Sequence, residues 1–286
     1  MKISDKTLQL IEKEYPHSLD IVKAFTPLLE AKAQLVQDLP PCDIPPVNPE
    51  RQKEGKMWLD PSIHVDVFLD KAFLQGAPAP LAQAIMAGFP AIAEEVAKIQ
   101  DILEGDELAC RSLAASGLEG AKTERWAKKY GLNEEVVHFF GTHLGGAAGE
   151  RVAHHAAKIA VFTALDNKEV WDYGYCPLCG GPAHLSLVRG KDGQRFLQCS
   201  VCRTEWIYSR TACPSCKEDA LKKLQYFFIE KNEQDRAQAC ESCKGYILEK
   251  DLRNDAGEVP LDVYLLCMGP LDILMQEKGY SPIFEK

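Results

Sequence analysis

Four C-x-x-C pairs crowd the last part of this chain: CPLC from Cys176 to Cys179, CSVC from Cys199 to Cys202, CPSC from Cys213 to Cys216 and CESC from Cys240 to Cys243. A C-x-x-C turn sets two thiols on one side of a small cavity. Two such turns at opposite ends of a hairpin bring four sulfurs to the corners of a tetrahedron, each about 2.3 Å from a metal ion. Nineteen residues separate Cys179 from Cys199, and 23 separate Cys216 from Cys240. The first spacing is that of a metal ribbon and the second is slightly longer, as a longer hairpin requires. The pattern predicts one site of Cys176, Cys179, Cys199 and Cys202, and a second of Cys213, Cys216, Cys240 and Cys243. Ten residues lie between Cys202 and Cys213, so a mixed pairing stays open. The repeated hairpins favour the sequential one.

The segments between the pairs repeat as well. AHLSLVR, GKDG and QRFLQ read as strand, turn and strand, and KKLQYFFIE, KNEQDR and AQA follow in the same order. The first knuckles of the two repeats are 37 residues apart, so the pattern is that of a duplicated small β unit. RTEWIYSRT and GYILEKDL also read as strands, and GPLDILMQEKGY as a final short helix. A thioredoxin-like redox pair needs a βαβ setting, and these flanks are hairpins. Four thiolates suit zinc, and they equally suit a single iron of the rubredoxin kind. The spacings are not those of a [4Fe–4S] cluster.

The chain before residue 172 has another character. It contains only Cys42 and Cys110. DKTLQLIEKEY, SLDIVKAFTPLLEAKAQLVQ, HVDVFLDKAFLQ, PLAQAIMAGFPAIAEEVAKIQDIL and ELACRSLAASGL carry apolar residues at helical spacing. Prolines at 40, 41, 45, 46 and 49 interrupt it with an extended crossing or loop. The longest helical run extends from Asn133, a plausible N-cap, to Asp166. Gly141, Gly145 and Gly149 recur along one face of it, which predicts a close helix crossing. The fold class expected is α+β: a helical domain over residues 1–171, facing a client or serving as scaffold, then two rubredoxin-like or zinc-ribbon-like Cys₄ β units with a short C-terminal helix over residues 172–286.

Other chemistry is sparse. His154 and His155 point to different sides of a helix, and His138 and His143 are poorly spaced for one ion. His184 lies beside the first knuckle and is a candidate for contact with the ligands rather than with the metal. Cys42, Cys110 and Cys267 read as small buried residues. No phosphate loop, G-x-S-x-G or H-E-x-x-H occurs, so no catalytic residues are expected. A net charge of −9 disfavours a general nucleic-acid binder. The opening MKISDKTLQLIEKEY lacks the plan of a signal peptide, and no apolar run reaches membrane-spanning length. The expectation is a cytoplasmic protein with reduced thiols and no membrane partner.

The stretch RFLQCSVCRTEWIYSRTACPSC, with CPLCGGPAHLSLVRG before it and QACESCKGYI after it, resembles the formate dehydrogenase accessory protein family, FdhE. The shared features are the glycine-marked first knuckle, the Arg-aromatic-Leu strand at Arg195–Leu197 and the Thr-Glu-Trp at Thr204–Trp206. The specific match covers about residues 172–250; the helical part matches in architecture more than in motifs. The resemblance implies an accessory protein for maturation of a molybdenum- or tungsten-containing formate dehydrogenase, not an enzyme. It implies binding to that enzyme's catalytic subunit. It also implies iron in two mononuclear sites on the eight cysteines from Cys176 to Cys243, with zinc as the alternative metal. Members of the family carry an Asp-Asp-Leu segment before the last helix. Here VPLDVYLLCMGPLDIL leaves only Asp262 and Asp272 as counterparts, so client contacts there are expected to differ. Two other readings stand beside this one: a rubredoxin-like electron carrier, and a zinc-ribbon nucleic-acid binder or adaptor using Arg189, Lys191, Arg195, Arg203 and Arg210.

Overall fold

The computed structural model describes residues 2–45, 51, 54–59, 61–158, 171–229, 232–255, 257 and 259–285. They form two compact units. The first contains residues 2–4, 19–45 and 59–158, and the second contains residues 5–18, 51–58 and 171–285, among those described. Residues 5–18, before the helix Leu19–Asp38, and residues 54–58, after it, thus group with the sheet.

The first unit is helical. Its elements are α2 (Leu19–Asp38), α3 (Pro61–Phe68), α4 (Lys71–Gly76), α5 (Pro78–Gly88), α6 (Ala93–Gly105), α7 (Glu107–Glu119), α8 (Glu124–Tyr130) and α9 (Glu134–Ala156), with α1 (Asp5–Glu14) belonging to the second unit. Short polar residues punctuate it. The carboxylates of Asp70 and Asp106 accept the backbone N–H groups of Phe73 and Ala109 at 2.9 and 3.0 Å. Asn133 Oδ1 accepts those of Glu135 and Val136 at 2.9 and 3.1 Å, as its N-cap reading requires. The Asp70 cap divides the stretch HVDVFLDKAFLQ, read as one helical run, into α3 and α4. Gly120 and Gly131 close α7 and α8 with left-handed backbones at φ 62° and 66°, where a side chain would be strained.

Helix α9 is the spine of this unit. Val137, Phe140, Leu144 and Val152 are buried on it. The glycine face predicted there packs against α7 at backbone distance: a Cβ on Gly117 would stand 1.9 Å from the Gly141 carbonyl oxygen, and one on Gly145 would lie 2.5 Å from the Gly117 carbonyl carbon. At the far end Arg151, fully buried, donates to both carboxylate oxygens of Asp70 at 3.0 and 2.8 Å and to the Pro40 carbonyl. The helix ends at Ala156; the run read onward to Asp166 lies partly outside the described residues.

The second unit is a seven-stranded sheet: β1 (Ala183–Arg189), β2 (Gln194–Cys199), β3 (Glu205–Ile207), β4 (Leu224–Ile229), β5 (Asn232–Cys240), β6 (Gly245–Asp251) and β7 (Ser281–Pro282). The order is β3-β2-β1-β6-β5-β4, with β7 beside β6. The duplication is visible in this order. Two antiparallel three-stranded units, β1-β2-β3 and β4-β5-β6, lie head to tail, joined by parallel pairing of β1 with β6. KNEQDR, read as a turn, is strand from Asn232 onward, because alternation of Asp235 and Ala237 with their neighbours continues inward along β5.

Period-two alternation gives the sheet two unlike faces. Leu185, Leu187, Ala237, Ala239, Tyr246 and Leu248 form an apolar face against α10 (Leu261–Cys267) and α11 (Gly269–Glu277), where Met268, Leu271 and Met275 close the layer. The helix α10 has no counterpart in the sequence reading. The opposite face carries a buried polar network, in which Ser186 Oγ donates to Glu249 at 2.7 Å and Arg236 pairs with Glu249 at 2.9 Å. Among the described residues no helix is long and apolar enough to cross a membrane.

Candidate metal centres

The eight cysteines converge in two groups of four. Cys176, Cys179, Cys199 and Cys202 form one, and Cys213, Cys216, Cys240 and Cys243 the other; within each group the sulfurs all lie within 4.8 Å of one another. In the first group Cys176–Cys202, Cys179–Cys199 and Cys179–Cys202 are each separated by 3.5 Å. In the second, Cys213–Cys243 and Cys216–Cys240 are 3.7 and 3.6 Å apart. A tetrahedron with sulfur about 2.3 Å from its centre has an edge of about 3.8 Å. Disulfide sulfurs would lie about 2.05 Å apart, and none of the eight is so bonded. The donor set and its size therefore fit a zinc or a mononuclear iron ion in each group. The groups pair the knuckles sequentially.

The four knuckles share one backbone device. The residue after the second cysteine has a left-handed backbone in every case: Gly180 at φ 76°, Arg203 and Lys217 at 60° and Lys244 at 55°. This bend turns the chain so that the Gly180, Lys217 and Lys244 N–H groups bond the carbonyls of Cys176, Cys213 and Cys240 at 2.9, 2.9 and 2.8 Å. Only the first knuckle uses the residue best suited to it, since left-handed geometry costs a side-chain-bearing residue about 1–2 kcal/mol. Backbone N–H groups also reach sulfur: Gly181 donates to Cys179 at 3.4 Å and Val201 to Cys199 at 3.3 Å. These donors favour thiolate over thiol.

The thiols within each group cannot all ionise together. Burial pushes Cys176 well up, and its sulfur hydrogen bond with Cys176 does the same to Cys179. Burial opposes ionisation of Cys199 too, but hydrogen bonds from the three neighbouring sulfurs outweigh it and hold that thiol well below the usual value. The second group repeats the division: burial raises Cys213 and Cys216, while the Gly245 N–H and neighbouring sulfurs overcome burial and lower Cys243. A bound cation removes this competition. Each group would then bind its ion with release of protons.

Several residues noted in the sequence have internal roles. His184 is buried, with its Nε2 3.1 Å from the accepting Gln198 Oε1 and 2.9 Å from the Arg203 guanidinium. Burial, with Arg203 beside it, lowers its pKa to about 3. Asp262 pairs with Arg203 at 3.1 Å, and Asp272 accepts from the Tyr246 hydroxyl. His154 is exposed and His155 half-buried; His143 packs edge-on to Phe139. Cys42, Cys110 and Cys267 are buried, and burial carries Cys110 and Cys267 to about 12.

Arg195 is the residue whose role the sequence concealed. It reads as one of five surface cations, yet it is fully buried. Its Nε donates to Ser186 Oγ at 2.8 Å, and its Nη1 donates to the carbonyls of Ser209 and Ala212 at 3.0 and 3.1 Å. Glu249 lies 3.6 Å away. The guanidinium fork thus pins the loop that delivers Cys213 to strand β2, which ends in Cys199. Tyr208, whose ring lies under Arg195, donates its hydroxyl to the Cys213 carbonyl at 3.2 Å. The strand that carries it, QRFLQC, mixes polar and apolar residues, so nothing local marks this arginine as buried.

The comparisons with known proteins converge on one family. The description "FdhE, central domain" matches residues 175–210, which hold the first Cys₄ group and the Arg195 strand. The FdhE homolog of Aquifex aeolicus is 27% identical over 96% of this chain and 90% of its own length. That of Pseudomonas aeruginosa is 28% identical over 86% of this chain and 76% of its own. The crystal structure of the FdhE protein from Pseudomonas aeruginosa superposes with a TM-score of 0.65 at 25% identity, covering 96% of this chain and 90% of that one. In motif, in length and in fold, this chain is similar to the FdhE proteins.

Proposed function

We propose that this protein is a cytoplasmic accessory factor for the assembly of formate dehydrogenase, that it binds the catalytic subunit of that enzyme, and that it carries a metal ion on each Cys₄ group, iron in the first instance and zinc as the alternative. The observation that carries this reading is the pair of four-sulfur groups in a chain similar to FdhE proteins over most of its length. Cysteines of each group would fill all four positions of the ion, leaving none for substrate, which argues against hydrolysis or Lewis-acid catalysis. The ion would then supply rigidity, or one-electron exchange if it is iron.

The nucleic-acid reading is weakened by the fate of its arginines. Arg189 pairs with Glu205 at 2.5 Å, Arg195 is buried beside Glu249, Arg203 pairs with Asp262, and Arg210 donates to the Asp192 carbonyl. The electron-carrier reading keeps one supporting observation, the solvent exposure of Cys216, because transfer needs a sulfur near the surface. The test is affinity capture of the tagged full-length chain from its native host without oxygen, with mass spectrometry of the bound proteins. Recovery of a molybdenum- or tungsten-type formate dehydrogenase catalytic subunit is expected. A preparation that captures no such subunit contradicts the reading.

A further inference from the structure

The two Cys₄ groups have the same donors and nearly the same size, but they differ in how far their outer sulfurs are covered. In the first, Cys176, Cys199 and Cys202 are 0% exposed, Cys179 is partly exposed but none is fully so, and the intervening Pro177 and Leu178 are buried. The segment from Gly55 to Trp58 lies across this knuckle: the Trp58 backbone N–H donates to the Pro177 carbonyl at 2.8 Å, and the Tyr175 hydroxyl donates to the Gly55 carbonyl at 2.6 Å. The Met57 thioether covers the turn so closely that a Cβ on Gly180 would stand 1.9 Å from its sulfur. Gly181 is tight but less so, since its Cβ would lie 3.0 Å from Cys199 Sγ.

The second group is covered on its Cys213–Pro214 side, where a Cβ on Gly174 would stand 1.8 Å from the Pro214 carbonyl oxygen and Lys217 Nζ lies over the Tyr173 ring, but it is open at its outer sulfurs. Cys216 is exposed and Cys243 partly so, and Ser215, Lys217, Ser242 and Lys244 around them are exposed. The two knuckles are tied across the opening by a hydrogen bond from Ser242 Oγ to Glu218 at 2.6 Å, itself in water. Such a bond is weak against solvent competition.

We propose that the second group, Cys213, Cys216, Cys240 and Cys243, is the exchangeable metal site of this protein, open to incoming thiol or chelating ligands at Cys216 and Cys243, while the first group is a sealed structural site closed by the Met57–Trp58 strap. The inference rests on the reading of both groups as metal sites. Ligand exchange at a four-coordinate ion begins when an incoming donor reaches it, and the outer sulfurs of the second group offer that approach without unfolding. The first group must open locally before a ligand can enter, and such openings carry their own free-energy cost.

The experiment uses the full-length chain loaded with zinc, its metal content measured first, then challenged with a chromogenic chelator while N-ethylmaleimide labelling is followed by mass spectrometry. Two ions per chain are expected to leave in two phases. The fast phase should coincide with labelling of Cys216 and Cys243, and the slow phase, at least about tenfold slower, with labelling of Cys176, Cys199 and Cys202. Cys216→Ser should remove the fast phase alone, and Met57→Ala should accelerate the slow phase alone. Loss of both ions in one phase, or first labelling in the first group, overturns the inference and leaves the metal reading intact. A slow phase unaltered by Met57→Ala overturns the role of the strap. A chain that takes up no zinc overturns the metal reading itself, and this inference with it.

Discussion

The helical unit and the sheet unit solve the problem of stability by different means. In the first, α7 and α9 meet at glycines and are surrounded by apolar side chains such as Leu113, Phe140 and Leu144, all fully buried. Each such side chain contributes about 1.5–3 kcal/mol. The sheet has one apolar face of similar kind, but its other face is a network of Ser186, Arg195, Arg236 and Glu249. Its loops are anchored by sulfur. Buried ion networks give direction and register more than net stability. The comparison teaches that the sheet unit, if its two Cys₄ groups hold metal, would obtain from those ligands what the helical unit obtains from its core.

The largest effect should come from removing metal. Stripping the protein with a strong chelator, or replacing Cys176 with serine, should abolish cooperative melting of the sheet while the helical unit keeps its own transition, because metal binding to such knuckles is worth about 10 kcal/mol or more. Calorimetry with far-ultraviolet circular dichroism checks this. An unchanged melt of Cys176→Ser at full metal content would break the comparison. Next in size is Arg195→Leu. It leaves Glu249 buried without a close partner on that side and releases the Ser209–Cys213 loop, so a loss of about 3–5 kcal/mol is expected. The loss should fall with metal affinity at the second group before the first, read by competition with a chelator.

Gly117→Ala sharpens the other side of the comparison. Its Cβ would collide with the Gly141 carbonyl, and neither backbone can yield cheaply. A cost of about 1–3 kcal/mol is expected, measured by urea unfolding of the helical transition with metal content unaltered. The smallest effect concerns Asp70. Burial works to raise its pKa, but the Arg151 hydrogen bond and the Phe73 N–H prevail and hold it below the ordinary carboxylate value. A carboxylate lowered in the folded state stabilises above its unfolded pKa, about 3.9, and loses that contribution as pH falls through the folded value. The stability of the helical unit should therefore decline below about pH 4, and Asp70→Asn should flatten that decline.

The two units also differ in how far their sequences could be read. Cysteine spacing dictated both sulfur groups and the hairpins between them, because a tetrahedral site tolerates few chain paths. Helical periodicity and the Asn133 cap located α9, and the Gly141–Gly145 face foretold the close crossing with α7. What stayed hidden depends on contacts distant in sequence. The pinning of the Cys213 loop by Arg195 spans 14 and 17 residues, and nothing local distinguishes this arginine from a surface one. The covering of the first knuckle by Met57 and Trp58 joins residues more than a hundred positions apart in the chain. The grouping of α1 with the sheet follows from Tyr15, whose hydroxyl receives the buried Lys250 ammonium at 3.0 Å, a contact no periodicity announces. The left-handed residues after the second, third and fourth knuckles are Arg203, Lys217 and Lys244, types that carry no turn signal.

The most direct test of the account is X-ray absorption spectroscopy of the full-length protein, purified from its host without oxygen, combined with metal quantification. The account predicts two metal ions per chain, each surrounded by four sulfurs at about 2.3 Å with no nitrogen or oxygen neighbour. A protein without bound metal, or one whose ions carry nitrogen or oxygen ligands, would contradict it.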